Sequence, residues 1–251
     1  MSGPASEERL AELAANLAAV RASIADACSV AGRDPAEVRL IAVTKTFPVS
    51  DVMGLARLGV IDVGENKDQE AAPKVAACAA ASLALRWHFV GQLQVNKAAS
   101  VARYAYMVHS VDRARLATAL GRRASEAGRV VRCLVQVSLD PEAGLGAAPA
   151  LDSSGGRGGA APDEVLDLAG QIEATEGLEL AGVMAVAPLG LPARPAYARL
   201  REVAEAVRSE YPQAQVISAG MSADLRDAVR EGATHVRIGT ALLGGRRAFV
   251  R

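Results

Sequence analysis

Leu40-Ile41-Ala42-Val43-Thr44-Lys45-Thr46 is the stretch whose reading decides the fold. Apolar and β-branched residues run directly into a lysine, and Phe47-Pro48 then stop the run. An unbroken run of this kind reads as a parallel strand covered on both faces. Side chains alternate along a strand, so Ile41, Val43 and Lys45 are expected on one face and Leu40, Ala42 and Thr44 on the other. Lys45 becomes the last inward residue of a buried strand. Only four of the 28 basic side chains are lysines, which makes this one informative. Two readings of it stand: a snorkelling side chain with a packed stem and a wet amine, or a reactive amine.

Outward from this strand the chain alternates. Residues 6–31 read as an amphipathic helix, with Leu10, Leu13, Leu17, Val20 and Ile24 at helical spacing, Ser6, Glu7 and Glu8 at its start and Gly32 at its end. Further strands are expected at 60–64, 86–91, 107–111, 130–139, 180–187, 216–220 and 235–239. Helical patterns fill the intervals, with Asp112 and Ser222 expected to cap the helices that follow them. Such alternation implies a parallel sheet with crossover helices. Eight units in this length favour a single (β/α)8 TIM barrel with an extra N-terminal helix over an open doubly wound sheet. Residues 1–251 read as one domain, with the N-terminal helix in 1–35. Residues 141–162, rich in Gly, Ala and Ser and without apolar period, read as a flexible loop.

Composition narrows the function classes. The formal net charge is zero, so no overall field draws nucleic acid or an anionic membrane, and 3% aromatic residues leave little for base stacking. Cys28, Cys78 and Cys133 are odd in number and widely spaced, which suits a reducing cytoplasm better than a disulfide or zinc scaffold. The opening MSGPASEERL lacks the basic start and apolar core of a signal peptide, and no unbroken apolar run reaches the ~18 residues of a membrane span. His88, His109 and His235 all fall in strands without metal-ligand spacing, so a barrel-wall role is expected for each.

Barrel active sites lie at the carboxyl ends of the strands, where Lys45 falls. Desolvation at an apolar mouth favours the neutral amine, the nucleophile that forms an imine with a carbonyl. That fits either an aldolase-like substrate imine or a permanent imine to pyridoxal phosphate (PLP). The ends of strands seven and eight, Ser218-Ala219-Gly220-Met221-Ser222 and Arg237-Ile238-Gly239-Thr240, stand where barrels build phosphate cradles from glycine amides and hydroxyls. Arg237 shares parity with Gly239 and is expected to point inward, either as half of a structural ion pair or as a donor to a ring nitrogen or carboxylate. Asn66, Gln92 and Asn96 are further polar groups near the mouth, with helix capping as the alternative role.

Several segments then carry a resemblance: Ala42-Val43-Thr44-Lys45-Thr46, Gly64-Glu65-Asn66 with Gln69-Glu70, Trp87 to Gly91, Leu93 to Lys97, Gly220-Met221-Ser222 and Val236 to Thr240. In order from about residue 38 to 247, they resemble the PLP homeostasis protein family, related to the alanine racemase amino-terminal barrel. The resemblance implies a protein that binds PLP as an imine on Lys45 and serves intracellular PLP homeostasis. It implies phosphate binding by Ser218, Gly239 and Thr240 with Met221 in the same motif, Arg237 facing the pyridine nitrogen, and Asn66 beside the ring. It also implies a monomer whose partners are PLP and apo PLP-dependent enzymes. The loop departs from the family, with Arg157-Gly158 where many relatives carry a lysine near a glycine. The alternative function is a weak amino-acid racemase. Against it, a guanidinium at the ring nitrogen disfavours its protonation and weakens the electron sink. The chain, ending at Arg251, is expected to lack the racemase's second domain, and Tyr104, Tyr106, Tyr197 and Tyr211 are all expected on helices or their approaches rather than at a strand end.

Overall fold

The computed structural model describes residues 5–140 and 158–245. Residues 141–157, most of the expected flexible loop, and the C-terminal 246–251 lie outside them. Eight parallel strands close in sequence order: β1 (Arg39–Val43), β2 (Asp62–Glu65), β3 (Arg86–Phe89), β4 (Ala105–Val111), β5 (Val131–Gln136), β6 (Leu178–Met184), β7 (Val216–Ser218) and β8 (His235–Ile238). β1 pairs with both β2 and β8, so the sheet has no free edge. The expected barrel is the observed one.

A helix follows each strand: α2 (Val49–Arg57), α3 (Asp68–Ala80), α4 (Ala98–Tyr104), α5 (Ala114–Glu126), α6 (Val165–Glu173), α7 (Ala193–Glu210), α8 (Leu225–Arg230) and α9 (Thr240–Leu243). The last is one turn long and cannot cover its strand. The leading helix α1 (Glu7–Ala31) takes that place, setting Leu13, Leu17, Val20 and Ile24 against Leu225, Val229, Leu242 and Leu243. By length and hydropathy α1 also matches a membrane span, although its sequence holds no unbroken apolar run of that length; its apolar stripe is spent on the barrel. Ser6 caps it by accepting from the Arg9 amide, and Gly32 ends it at φ 66°.

Register fixes which residues line the lumen. Ile41 stands beside Arg237, Val43 beside Gly64, and Gly64 beside His88, all facing inward. Ala42, Val236 and Ile238 face the helices instead. The expected alternation therefore holds through Val43. Between β4 and β7 an apolar cluster of Met107, Leu134, Met184 and Val216 fills part of the lumen. Gly182 has φ 143°, and a Cβ there would lie 2.0 Å from the Val216 carbonyl oxygen, so β6 and β7 meet closer than any side chain permits.

Three local expectations are corrected. β1 ends at Val43 rather than Lys45. α5 starts after Arg113 with no side-chain cap, because the Asp112 carboxylate is taken up by the neighbouring Arg113 guanidinium. α8 starts at Leu225, not beside Ser222, because Asp224 ties off the turn by accepting from the Met221 amide. Residues 158–162 are also more ordered than a loop reading implies: Ala160 bridges to Val137, and Gln136 donates to the Gly158 carbonyl at 2.9 Å.

Candidate functional site

The site gathers at the carboxyl ends of the strands. Thr44 continues the ladder past β1, its amide donating to the Gly64 carbonyl at 2.9 Å. Thr46 then adopts φ 66°, a left-handed conformation that a β-branched residue rarely takes. The turn carries Lys45 over the rim, where its side chain is exposed. This corrects the expected desolvation: Lys45 sits at the mouth, in contact with water.

A buried bracket holds that turn. Glu65 Oε1 accepts from the Thr44 hydroxyl at 2.6 Å and from Lys74 Nζ at 2.7 Å, and Lys74 Nζ also donates to the Thr44 carbonyl at 2.8 Å. From α3, Glu70 Oε2 accepts the Thr46 amide at 2.9 Å. Burial pushes the Glu65 carboxyl above its ordinary value despite Lys74, and its Oε2 has no hydrogen-bond partner among the described residues. Sequence reasoning missed this bracket. Its one signal was a lysine within a helix otherwise rich in alanine. Lys74→Met should leave a buried carboxylate unpaired and cost about 3–5 kcal/mol, with the Glu65→Gln/Lys74→Met double variant recovering most of it. Chemical denaturation of the three variants measures both.

Asn66 follows β2, half-buried, with a buried Oδ1 that has no hydrogen-bond partner among the described residues. It caps no helix, since α3 starts after Lys67. Gly91 holds its backbone: a Cβ there would lie 2.2 Å from the Asn66 carbonyl oxygen. Gly91→Ala should therefore displace Asn66 and cost at least about 2 kcal/mol, read as a lowered denaturation midpoint.

Arg237 is buried and faces inward. Its Nη1 donates to Ser218 Oγ at 2.7 Å and its Nη2 to the Ala185 carbonyl at 2.9 Å. Neither bond goes to a carboxylate, so the structural ion pair weighed above is not what holds it. Burial holds the guanidinium below its ordinary value, with Tyr197 and Asp224 opposing. Tyr197 itself donates to Asp224 Oδ2 at 2.8 Å, and burial raises its pKa, so it is held protonated. Tyr106 lies in β4 rather than on a helix or its approach, at the strand's amino end.

Ser218 lies at the end of β7 with no exposure. Its Oγ accepts from Arg237 and stands 2.9 Å from His109 Nδ1. Both partners lie in the lumen, so the hydroxyl expected to face a phosphate is engaged inside. Met221 and Ser222, just beyond it, are exposed, as is Thr240 at the start of α9. At Gly239 an ideal Cβ would lie only 3.3 Å from the Val43 carbonyl oxygen, so the rim between β8 and β1 is kept clear. Gln92 and Asn96 are both exposed, and no hydrogen bond brings either to these groups among the described residues.

Residues 10–247 match the family model described as alanine racemase, N-terminal domain. The pyridoxal phosphate homeostasis protein of Mycobacterium bovis is 43% identical, over 96% of this chain and 95% of the relative. The chain belongs to the pyridoxal phosphate homeostasis protein family. PipY of Synechococcus elongatus PCC7942, solved with PLP bound, is 32% identical over 92% of this chain and all of that one, with a TM-score of 0.77. Alanine racemase from Corynebacterium glutamicum shares the fold alone, at 14% identity and TM-score 0.66, and this chain covers 62% of its length. A separate cleft of about 330 Å³, lined by Arg21, Arg39, Ile61 and Asp62, opens at the amino ends of the strands, away from Lys45.

Proposed function

We propose that this protein binds PLP at the carboxyl end of its barrel, through an imine on Lys45, and holds it for intracellular PLP homeostasis. The observation that carries the reading is Arg237: a buried guanidinium with no carboxylate hydrogen bond among the described residues, one strand away from the β1 end that presents Lys45. Kinship with proteins named for PLP homeostasis and with PLP-bound PipY supports it.

The residues present fit the group. Lys45 offers an exposed amine, as imine formation requires. Asn66 Oδ1 is an orphaned polar atom, and the narrow space at Gly239 would be filled by any side chain. The backbone around Gly239 and Thr240 and the exposed Ser222 hydroxyl would take the phosphate, while Ser218 acts on Arg237 from inside. When bound, PLP supplies an electron sink only insofar as its ring nitrogen is protonated. Arg237 would place a positive charge beside that nitrogen and oppose its protonation. Tyr197 is tied to Asp224, so it supplies no second base. The site thus retains the cofactor and restrains its reactivity. An amino-acid racemase of the alanine racemase type is not supported, because that likeness extends only to the fold.

Three further assignments belong to this reading. The protein acts in the cytoplasm, supported by three buried cysteines that are all free thiols. It acts as a single-domain monomer, and it passes PLP to apo PLP-dependent enzymes. Titration of the purified protein with PLP should give a saturable imine absorbance band, and L- and D-amino acids should show no turnover at enzyme rates. Turnover at about 1 s⁻¹ or faster, abolished by Lys45→Ala, would overturn the holding function.

A further inference from the structure

The lumen holds a row of polar side chains that reaches Arg237 through Ser218 and extends beyond the site described above. Asp62 Oδ1 lies 2.9 Å from His88 Nε2, His88 Nδ1 lies 2.9 Å from His109 Nε2, and His109 Nδ1 lies 2.9 Å from Ser218 Oγ. Arg237 completes it by donating to Ser218. At the other end Asp62 Oδ2 accepts from Arg86 Nη2 at 2.8 Å. The row crosses the barrel from the first residue of β2 to the last of β7, and both histidines are buried.

Its two ends set its direction. Asp62 is held ionised: burial would raise its carboxyl, but the His88 hydrogen bond and the nearby Arg86 and Arg39 charges outweigh it. His88 therefore carries its proton on Nε2 and leaves Nδ1 bare. His109 must then donate from Nε2, leaving its Nδ1 as an acceptor. Arg237 can only donate, so Ser218 turns a lone pair to Arg237 and its proton to His109. One consistent arrangement results, an anion at one end and a cation at the other. Burial holds both imidazoles in the neutral form this needs.

We propose that Asp62, His88, His109 and Ser218 form a positioning relay that aims the Arg237 guanidinium at the bound ring. This rests on the assignment of Arg237 to the PLP ring nitrogen. Simple packing does not account for the row. Met107, Leu134, Met184 and Val216 fill the neighbouring lumen with apolar side chains, and burying four polar groups there is costly unless each is paired. The relay supplies what Arg237 lacks, a fixed lone pair in place of a carboxylate. It also explains why the Ser218 hydroxyl does not face the mouth.

The test compares His109→Leu, His109→Asn, Arg237→Gln and His109→Leu/Arg237→Gln, each reading PLP affinity and the absorbance maximum of bound PLP. Loss of an oriented charge-assisted bond should weaken PLP binding about tenfold in His109→Leu and shift the maximum in the same direction as Arg237→Gln does. His109→Asn, which keeps an acceptor toward Ser218, should recover part of both. The double variant should match Arg237→Gln alone, because the relay acts only through the arginine. Additive effects, or wild-type binding and spectrum in His109→Leu, would overturn the relay while leaving the Arg237 assignment standing. Wild-type binding and spectrum in Arg237→Gln would overturn that assignment and the relay with it. Ser218→Ala, a smaller change in the same row, gives the same readout should His109→Leu not fold.

Discussion

Lys45→Ala should remove the imine absorbance band completely and weaken PLP retention by at least about tenfold, or 1.4 kcal/mol. Only four lysines are present. Of the other three, Lys74 is buried against Glu65, Lys67 precedes α3, and Lys97 lies in the short turn before α4. None is presented on a turn leaving β1. Fold stability should stay within about 0.5 kcal/mol, because the Lys45 side chain is exposed and β1 ends two residues earlier. An absorbance titration and a thermal melt on one sample separate the two effects. Loss of the band together with loss of the melt would mean that the turn, not the amine, had failed.

Acid should unfold the protein steeply between about pH 6.5 and pH 3. Burial is the first cause depressing His235, to about 3, with the nearby Arg39 charge adding to it. Burial depresses His109 well below its ordinary value, with His88, Arg237 and His235 adding to it, and burial lowers His88 against the pull of Asp62. The unfolded chain binds protons on all three near pH 6.5, while the folded chain does not. Stability is then fully present above that pH and is lost as pH falls toward the folded values. Each histidine adds about 1.4 kcal/mol per pH unit to the slope over its own window. Urea midpoints at pH 7, 6 and 5 measure it, and His235→Gln should flatten the slope by the equivalent of one proton. An unchanged slope in that variant would show that His235 is not buried neutral.

Much of this was legible before any coordinates. The run from Leu40 to Val43 and its alternation gave a strand covered on both faces, and eight such units gave the barrel. Arg237 declared itself by sharing parity with Gly239. Where the reading stopped short, the causes were local turns and long-range pairings. β1 ends before Lys45 because Thr46 is left-handed and Glu70 anchors its amide, neither of which periodicity reports. Ser218 looked like a phosphate donor because strand-end position says nothing of a histidine 109 residues away in sequence. His88 and His109 were each sensible as wall residues taken singly. Their meaning comes from meeting Asp62 and Ser218, a contact set by closure of the barrel.

The central claim is that Lys45 holds PLP. Borohydride reduction of the PLP-treated protein, followed by peptide mapping, tests it most directly. One pyridoxyl group on Lys45, and none after Lys45→Ala, is the expected result. A protein that remains unlabelled, or one labelled mainly at Lys67, Lys74 or Lys97, would contradict it.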